Sequence, residues 1–473
     1  MNNIEFIYPE LFLIVSLLIL LILGVYKSNS YNFIKKITTI CFLLCIPIVY
    51  LNNIGDFNIF NNSYSVDSLS NYLKILILLS TVFSLMFTND YIKIQKLDKF
   101  EYPILILSAV IGMFLMVSSN DLIGLYLGIE LQSLSLYVLA SIDRGSEKST
   151  EAGVKYFVLG ALSSGLFLYG CSLLYGFSGS TNYYEISEVF KQDTSLPILF
   201  GIIFIIIGLA FKISAVPFHM WSPDVYQGSP TSVTSFFALA PKIAGLGAII
   251  RILYICFGEI YEEWKSIIIF IAVASMLLGA FAAIGQTNLK RLMAYSSISH
   301  IGYVLAALTV GKRDGVISAI SYLNIYIIMM ISSFACILFF KRKNVYFENI
   351  YDLSGLSKNH PVISFCFATT LFSLAGIPPL AGFFAKFYVF KSVVEANMIY
   401  LAIIGLIASV ISAFYYLRIV KIMYFDPENE KFDEGSNIGI RFSILFSSII
   451  IIFYFLNPSS ILYYVEMATK FLN

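Results

Sequence analysis

The sequence predicts an all-α polytopic membrane protein, and three observations carry that reading. The 473-residue chain is 58% hydrophobic and only 12% charged, about half the charged share of an ordinary soluble domain. Apolar runs of bilayer length recur from one end to the other. Between them, lysine and arginine collect in alternate loops.

About fourteen transmembrane helices are expected. The first seven spans lie near 9–26, 34–51, 70–88, 102–119, 121–141, 154–177 and 196–217. The other seven lie near 231–257, 265–285, 291–310, 315–340, 361–393, 397–424 and 441–464. Odd-numbered loops hold nineteen basic residues, including Lys27, Lys35, Lys36, Lys93, Lys96, Lys99, Arg144, Lys148, Lys155 and the run KRK at 341–343. Even-numbered loops and both termini hold five: Lys191, Lys265, Lys312, Arg313 and Lys470. The odd loops are therefore expected in the cytoplasm and both termini on the outer, periplasmic side. The opening residues, MNNIEFIYPE, lack the basic start of a signal peptide, so the first span is expected to remain.

Composition also narrows the function. A net charge of +1 gives no sign of a nucleic-acid partner. Cys41, Cys45, Cys171, Cys256, Cys336 and Cys366 all lie in apolar segments and read as small buried hydrophobes. The longest loops, near 178–195 and 425–440, are too short to fold alone. The chain contains no Rossmann fingerprint, P-loop or CxxC pair, so no cofactor or metal site is expected within it. Residues 1–101 read as three N-terminal helices, 102–424 as the core, and 425–473 as a last loop and helix.

Six basic residues remain inside spans. Lys74, Arg251 and Lys391 lie near span ends and read as snorkelling side chains. Lys212, Lys242 and Lys386 do not. Glu130 joins them as the ninth residue of LIGLYLGIELQSLSLYVLA. A charge at a span centre costs roughly 2.5–3.5 kcal/mol on insertion scales, so such groups face a polar interior and usually mark an ion path. A static Glu130–lysine pair is the plainer alternative, but it leaves two ammonium groups over. A lysine that exchanges its proton is a carrier, and a carboxylate that moves toward or away from it controls the exchange. His300 shares a helix side with Ser296, Ser297 and Tyr303. It reads either as a relay or as a hydrogen-bonded packing residue. His219, past the end of span seven, reads as interfacial before it reads as a relay.

Spans seven, eight and twelve contain helix breakers, in KISAVPFHMW, FALAPKIAG and SLAGIPPLAGFFAKF. Each breaker lies beside an intramembrane lysine. Broken helices in a bilayer are tolerated where the backbone faces protein or water, a recurrent device of transporters. Glu130 and Lys212 fall in spans five and seven, His300 and Lys386 in spans ten and twelve. Spans four to eight (about 102–257) and nine to thirteen (about 265–424) are thus expected to be inverted five-helix repeats, with Lys242 between the halves.

The run FKISAVPFHMWSPDVYQGSPTSVTSFFALAPKIAG, with SSISHIGY and LAGIPPLAGFFAKF, resembles the antiporter-like, proton-conducting membrane subunits of respiratory complex I. WSPDVYQGSP and ALAPKIAG match the shorter kind of these subunits. The resemblance implies a glutamate–lysine pair in Glu130 and Lys212, a central lysine in Lys242 and an exit-side lysine in Lys386. It also implies that Lys155, in EAGVKYF, modulates the pair; from the residues alone Lys155 reads as a cytoplasmic anchor. It further implies NADH, FMN, iron–sulfur clusters and quinone in partner subunits, neighbouring membrane subunits, and a bacterial inner membrane. A sodium/proton antiporter subunit and a structural membrane spacer are the rival readings.

Overall fold

The computed structural model describes residues 3–27, 30–52, 55–191, 195–433 and 438–472. The long loops expected at 178–195 and 425–440 fall partly outside these residues. The N-terminal helices are α1 (Tyr8–Tyr26), α2 (Tyr31–Leu51) and α3 (Ser68–Phe87), followed by the short α4 (Asn89–Ile94). The start of α3 is fixed by a reciprocal cap. Ser70 N donates to Asp67 Oδ1 at 2.7 Å, and Asp67 N donates to Ser70 Oγ at 3.0 Å.

Next come α5 (Glu101–Ser118), α6 (Leu122–Ala140), the 32-residue α7 (Glu147–Ser178) and α8 (Tyr183–Phe190). The seventh span is α9 (Leu196–Lys212) with the turn that follows it, and the short α10 (Trp221–Gly228) lies beyond its end. The eighth comprises α11 (Thr231–Phe237) and α12 (Ala240–Arg251), which meet at a kink within one apolar segment, Thr231–Cys256. Pro241 sits at the start of α12, where a missing N–H is harmless. The second half runs through α13 (Tyr261–Ile284), α14 (Leu289–Leu308), α15 (Arg313–Phe339) and the one-turn α16 (Leu356–Asn359). The twelfth span is α17 (Pro361–Ala375) and α18 (Ala381–Glu395), separated at Gly376, whose φ is +91°. Then follow α19 (Ile399–Phe425), α20 (Ile438–Phe453) and α21 (Pro458–Ala468). Two small antiparallel hairpins, Phe57–Ile59 with Tyr64–Val66 and Lys341–Arg342 with Val345–Tyr346, depart from a purely helical chain.

Eleven helices among the described residues are long and apolar enough to cross a membrane. The other three expected spans are different objects. Helix α9 stops at its seventeenth residue, Lys212. The 20-residue α14 falls outside the eleven and carries Ser296, Ser297, Ser299 and His300. The expected span 361–393 is two half-length helices.

Similar helix contacts occur in both parts of the core. Helix α5 lies on α6 and α12, as α13 lies on α14 and α19; α7 lies on α9 and α10, as α15 lies on α17 and α18. Both tight pairs depend on glycine. A Cβ at Gly112 would come within 2.6 Å of Gln132 N, and one at Gly279 within 2.6 Å of Ser299 N. Helices α12, α14 and α15 form the buried centre, while α1, α7 and α19 turn apolar side chains outward. All six cysteines are free and buried.

Candidate functional site

Three lysines lie in the buried centre, and each sits at a helix break. Lys212, the last residue of α9, is 6% exposed. Its Nζ donates to Ser133 Oγ at 2.8 Å, and Ser133 Oγ donates to Ile129 O at 2.6 Å. Glu130 is one turn from Ser133 on the same side of α6 and is half-buried. Its Oε1 accepts from Ser164 Oγ on α7. No Glu130–Lys212 ion pair closer than 4 Å forms among the described residues. The expected pair is thus held open: a hydroxyl, not a carboxylate, takes the amine.

Lys242, on α12, is 1% exposed. Its Nζ donates to Ile213 O at 2.6 Å and Ser214 Oγ at 2.8 Å. Those two residues directly follow Lys212, so the break in α9 brings two lysines to one point of the chain. Ser214 makes the reversal with φ +62°. Lys386, on α18, is 5% exposed. It donates to Ala375 O at 2.9 Å, Leu374 O at 3.2 Å and Ser409 Oγ at 2.7 Å. Lys242 and Lys386 are therefore held in similar ways. Each satisfies carbonyls that a helix end leaves open, where the negative end of the peptide dipoles favours a cation.

His300 is held by phenols. Its Nδ1 lies 2.5 Å from Tyr322 Oη and its Nε2 3.2 Å from Tyr416 Oη, and Tyr416 Oη meets Ser296 Oγ at 2.5 Å. Ser297 accepts instead from Tyr326 at 2.8 Å. The Tyr303 ring stands 6.3 Å from the His300 ring and 5.3 Å from Lys386 Nζ, between the two. Several buried hydroxyls, those of Tyr226, Ser321 and Tyr415, have no hydrogen-bond partner among the described residues. Such groups are normally satisfied by internal water.

The remaining candidates lie elsewhere. Lys155, 41% exposed, pairs with Glu151 at 2.7 Å and Asp224 at 2.8 Å. It lines an open pocket of about 220 Å³ with Arg291, whose Nη1 reaches Asp224 Oδ1 at 2.6 Å. Burial pushes the Asp224 carboxyl up, but hydrogen bonds from Lys155 and Arg291 outweigh it and hold the group below its ordinary value. Lys155 makes no contact with Glu130 or Lys212 among the described residues. His219 sits half-buried in the turn after α9, its Nδ1 unpartnered, and joins none of the lysines.

Two side chains read as snorkelling are nothing of the kind. Lys74 is 1% exposed and pairs with Glu10 at 2.7 Å, while Tyr64 donates to the same carboxylate at 2.6 Å. Arg251 is equally buried and grips Asp67 with bonds of 2.7 and 2.9 Å, with Asn120 Oδ1 at 3.0 Å. Burial inside the protein, with a carboxylate supplied from α1 or from the cap of α3, removes the reason to reach for water. Only Lys391 behaves as read, exposed and 3.9 Å from Glu395. Ser133 was recoverable from its spacing to Glu130. Tyr322, Tyr416 and Ser409 gave no local signal.

A helical core broken beside buried lysines defines a class: membrane proteins that carry ions through half-helices. The family model described as NADH:quinone oxidoreductase/Mrp antiporter, TM, matches residues 119–412. A relative from Pelagibacter ubique named NADH-quinone oxidoreductase subunit N is 55% identical over 464 residues, 98% of each chain. A chain of respiratory complex I from Thermus thermophilus superposes with a TM-score of 0.83 at 29% identity, covering 96% of this chain and 98% of that one. A chain of the Mrp complex from Dietzia shares the fold, with a TM-score of 0.86 at 22% identity, covering 99% and 98%. This chain belongs to the NADH-quinone oxidoreductase subunit N family.

Proposed function

We propose that this chain is a proton-translocating membrane subunit of an NADH:quinone oxidoreductase. Protons pass along Lys212, Lys242 and Lys386, with His300, its phenols and internal water filling the intervals. The energy comes from quinone reduction in partner subunits, which hold the NADH, FMN and iron–sulfur chemistry; this chain acts as a non-redox part of the enzyme. It lies in a bacterial inner membrane with both termini outside, and the other membrane subunits of the complex flank it.

The fourteen-span reading then counts α9 with its loop, α14, and α17 with α18 as spans. The repeated packing of α5–α12 and α13–α19 supports two inverted halves within 102–424, flanked by 1–101 and 425–473. Each charge moved outward against the membrane potential costs about 2.3 kcal/mol per 100 mV. A continuous wire would leak, so the path needs a gate. The open Glu130–Lys212 gap is that gate: closing it holds the proton on Lys212, and opening it passes the proton to the break where Lys242 waits.

One observation carries this reading. Among the described residues, the three lysines are bonded only to hydroxyls and carbonyls, which accept a hydrogen bond without locking the charge in place. The test is Lys212→Ala in the reconstituted complex. Proton yield per NADH is expected to fall; an unchanged yield favours a structural spacer. A sodium requirement for transport in vesicles would favour the antiporter reading.

A further inference from the structure

Outside the core, a cavity of about 600 Å³ opens between α2 and the end of α3. Its polar end is formed by Lys35, Lys36 and Lys93, with Asn89. None of the three amines lies within 4 Å of a carboxylate oxygen among the described residues. The charge of Asp90 acts on Lys35, but Asp90 does not line the cavity. Lys35 is 8% exposed, and its Nζ is steadied by Asn89 Oδ1 at 3.0 Å. Three clustered amines with no carboxylate oxygen within 4 Å among the described residues favour an anion.

The other end is apolar. Ile40 and Met86 line it. Below Lys36 on the same face of α2 come Ile40 and Leu43, both exposed. Below Met86 on α3 come Phe83 and the exposed Leu79, with Phe446 of α20 stacked on Phe83 at 5.6 Å. Helix α3 packs against both α2 and α20, so an apolar furrow runs on from the lysines along the membrane-facing side. The lysines lie on α2 and α4 beside loops assigned to the cytoplasmic face by their basic excess.

We infer that this cavity binds the headgroup of an anionic phospholipid from the cytoplasmic leaflet, with its acyl chains in the furrow over α3. A free phosphate would use the lysines alone; the furrow is what selects a lipid. Basic pockets at this depth recognise such headgroups, each lysine contributing roughly fivefold in affinity.

The test uses the intact complex and photoreactive phosphatidylglycerol, with photoreactive phosphatidylcholine beside it. Phosphatidylglycerol is expected to label peptides of α2 and α3, and phosphatidylcholine is not. The K35Q/K36Q/K93Q variant is expected to weaken that labelling on the order of a hundredfold, and the K35R/K36R/K93R variant to restore it. Full competition by inorganic phosphate would make this a free-anion site and overturn the lipid assignment. Crosslinks from a neighbouring protein helix, or equal labelling by both lipids, would overturn it too. If the glutamine variant fails to assemble, the two lipids on the wild-type complex still decide.

Discussion

Two regions of this molecule bury basic side chains in opposite ways. Where the core meets the N-terminal helices, Lys74 and Arg251 each meet a carboxylate from residues 1–101, Glu10 or Asp67, at 2.7 Å. Deeper in the core, Lys212, Lys242 and Lys386 hydrogen-bond only neutral oxygens among the described residues. The first arrangement is a clamp. A buried pair with saturated bonds holds its charges, and breaking it is costly because the survivor is left alone. The second leaves each proton on a group whose partners accept a hydrogen bond but offer no permanent counter-charge. On the proposed reading, burial alone does not separate a carrier from a clamp; the identity of the partner does.

Substitutions can break or sharpen this contrast. Arg251→Ala strands the buried Asp67 and is expected to cost about 3–5 kcal/mol. Thermal unfolding of the solubilised complex would read this as a large drop in midpoint, with normal proton yield per NADH in whatever assembles. Replacing the other clamp entirely, with Glu10→Leu, Lys74→Met and Tyr64→Phe together, should be neutral or stabilising, whereas Glu10→Gln alone should destabilise. A clamp variant that lost proton yield while remaining folded would erase the distinction between the regions. Ser133→Ala takes the acceptor from Lys212 without touching Glu130. A buried donor left unsatisfied costs roughly 1–3 kcal/mol, so pumping should weaken while assembly survives. The smallest effect belongs to Lys155→Ala. An exposed ion pair is worth roughly 0.2–1 kcal/mol, and stability should scarcely move. A large loss of pumping there would give Lys155 a role that its bonds to Glu151 and Asp224 do not suggest.

The legible and illegible parts of the chain divide along a physical line. Long apolar helices such as α13 and α15 announce themselves because a bilayer-length run has few alternatives. The breaks at Pro241 and Gly376 were also plain, since those residues cannot continue a helix without loss. The end of α9 was not: the apolar run continues past Lys212, and the reversal is made at Ser214, well before Pro217. Partners were harder still. Asp67 and Arg251 are 184 residues apart, and His300 and Tyr416 are 116 apart. Contacts of that range leave no periodic trace in a single sequence. The lysines could be picked out as misplaced charges, but which of them were locked and which were free depended on neighbours brought in by the fold.

The most direct measurement is proton pumping by the liposome-reconstituted complex bearing Lys242→Ala, with NADH oxidation followed in parallel. Lys242 binds the break after Lys212 and is the next step of the proposed path, so its loss should cut the pumping rate severalfold or more. Wild-type pumping and wild-type oxidation together, in a correctly assembled complex, would contradict the account.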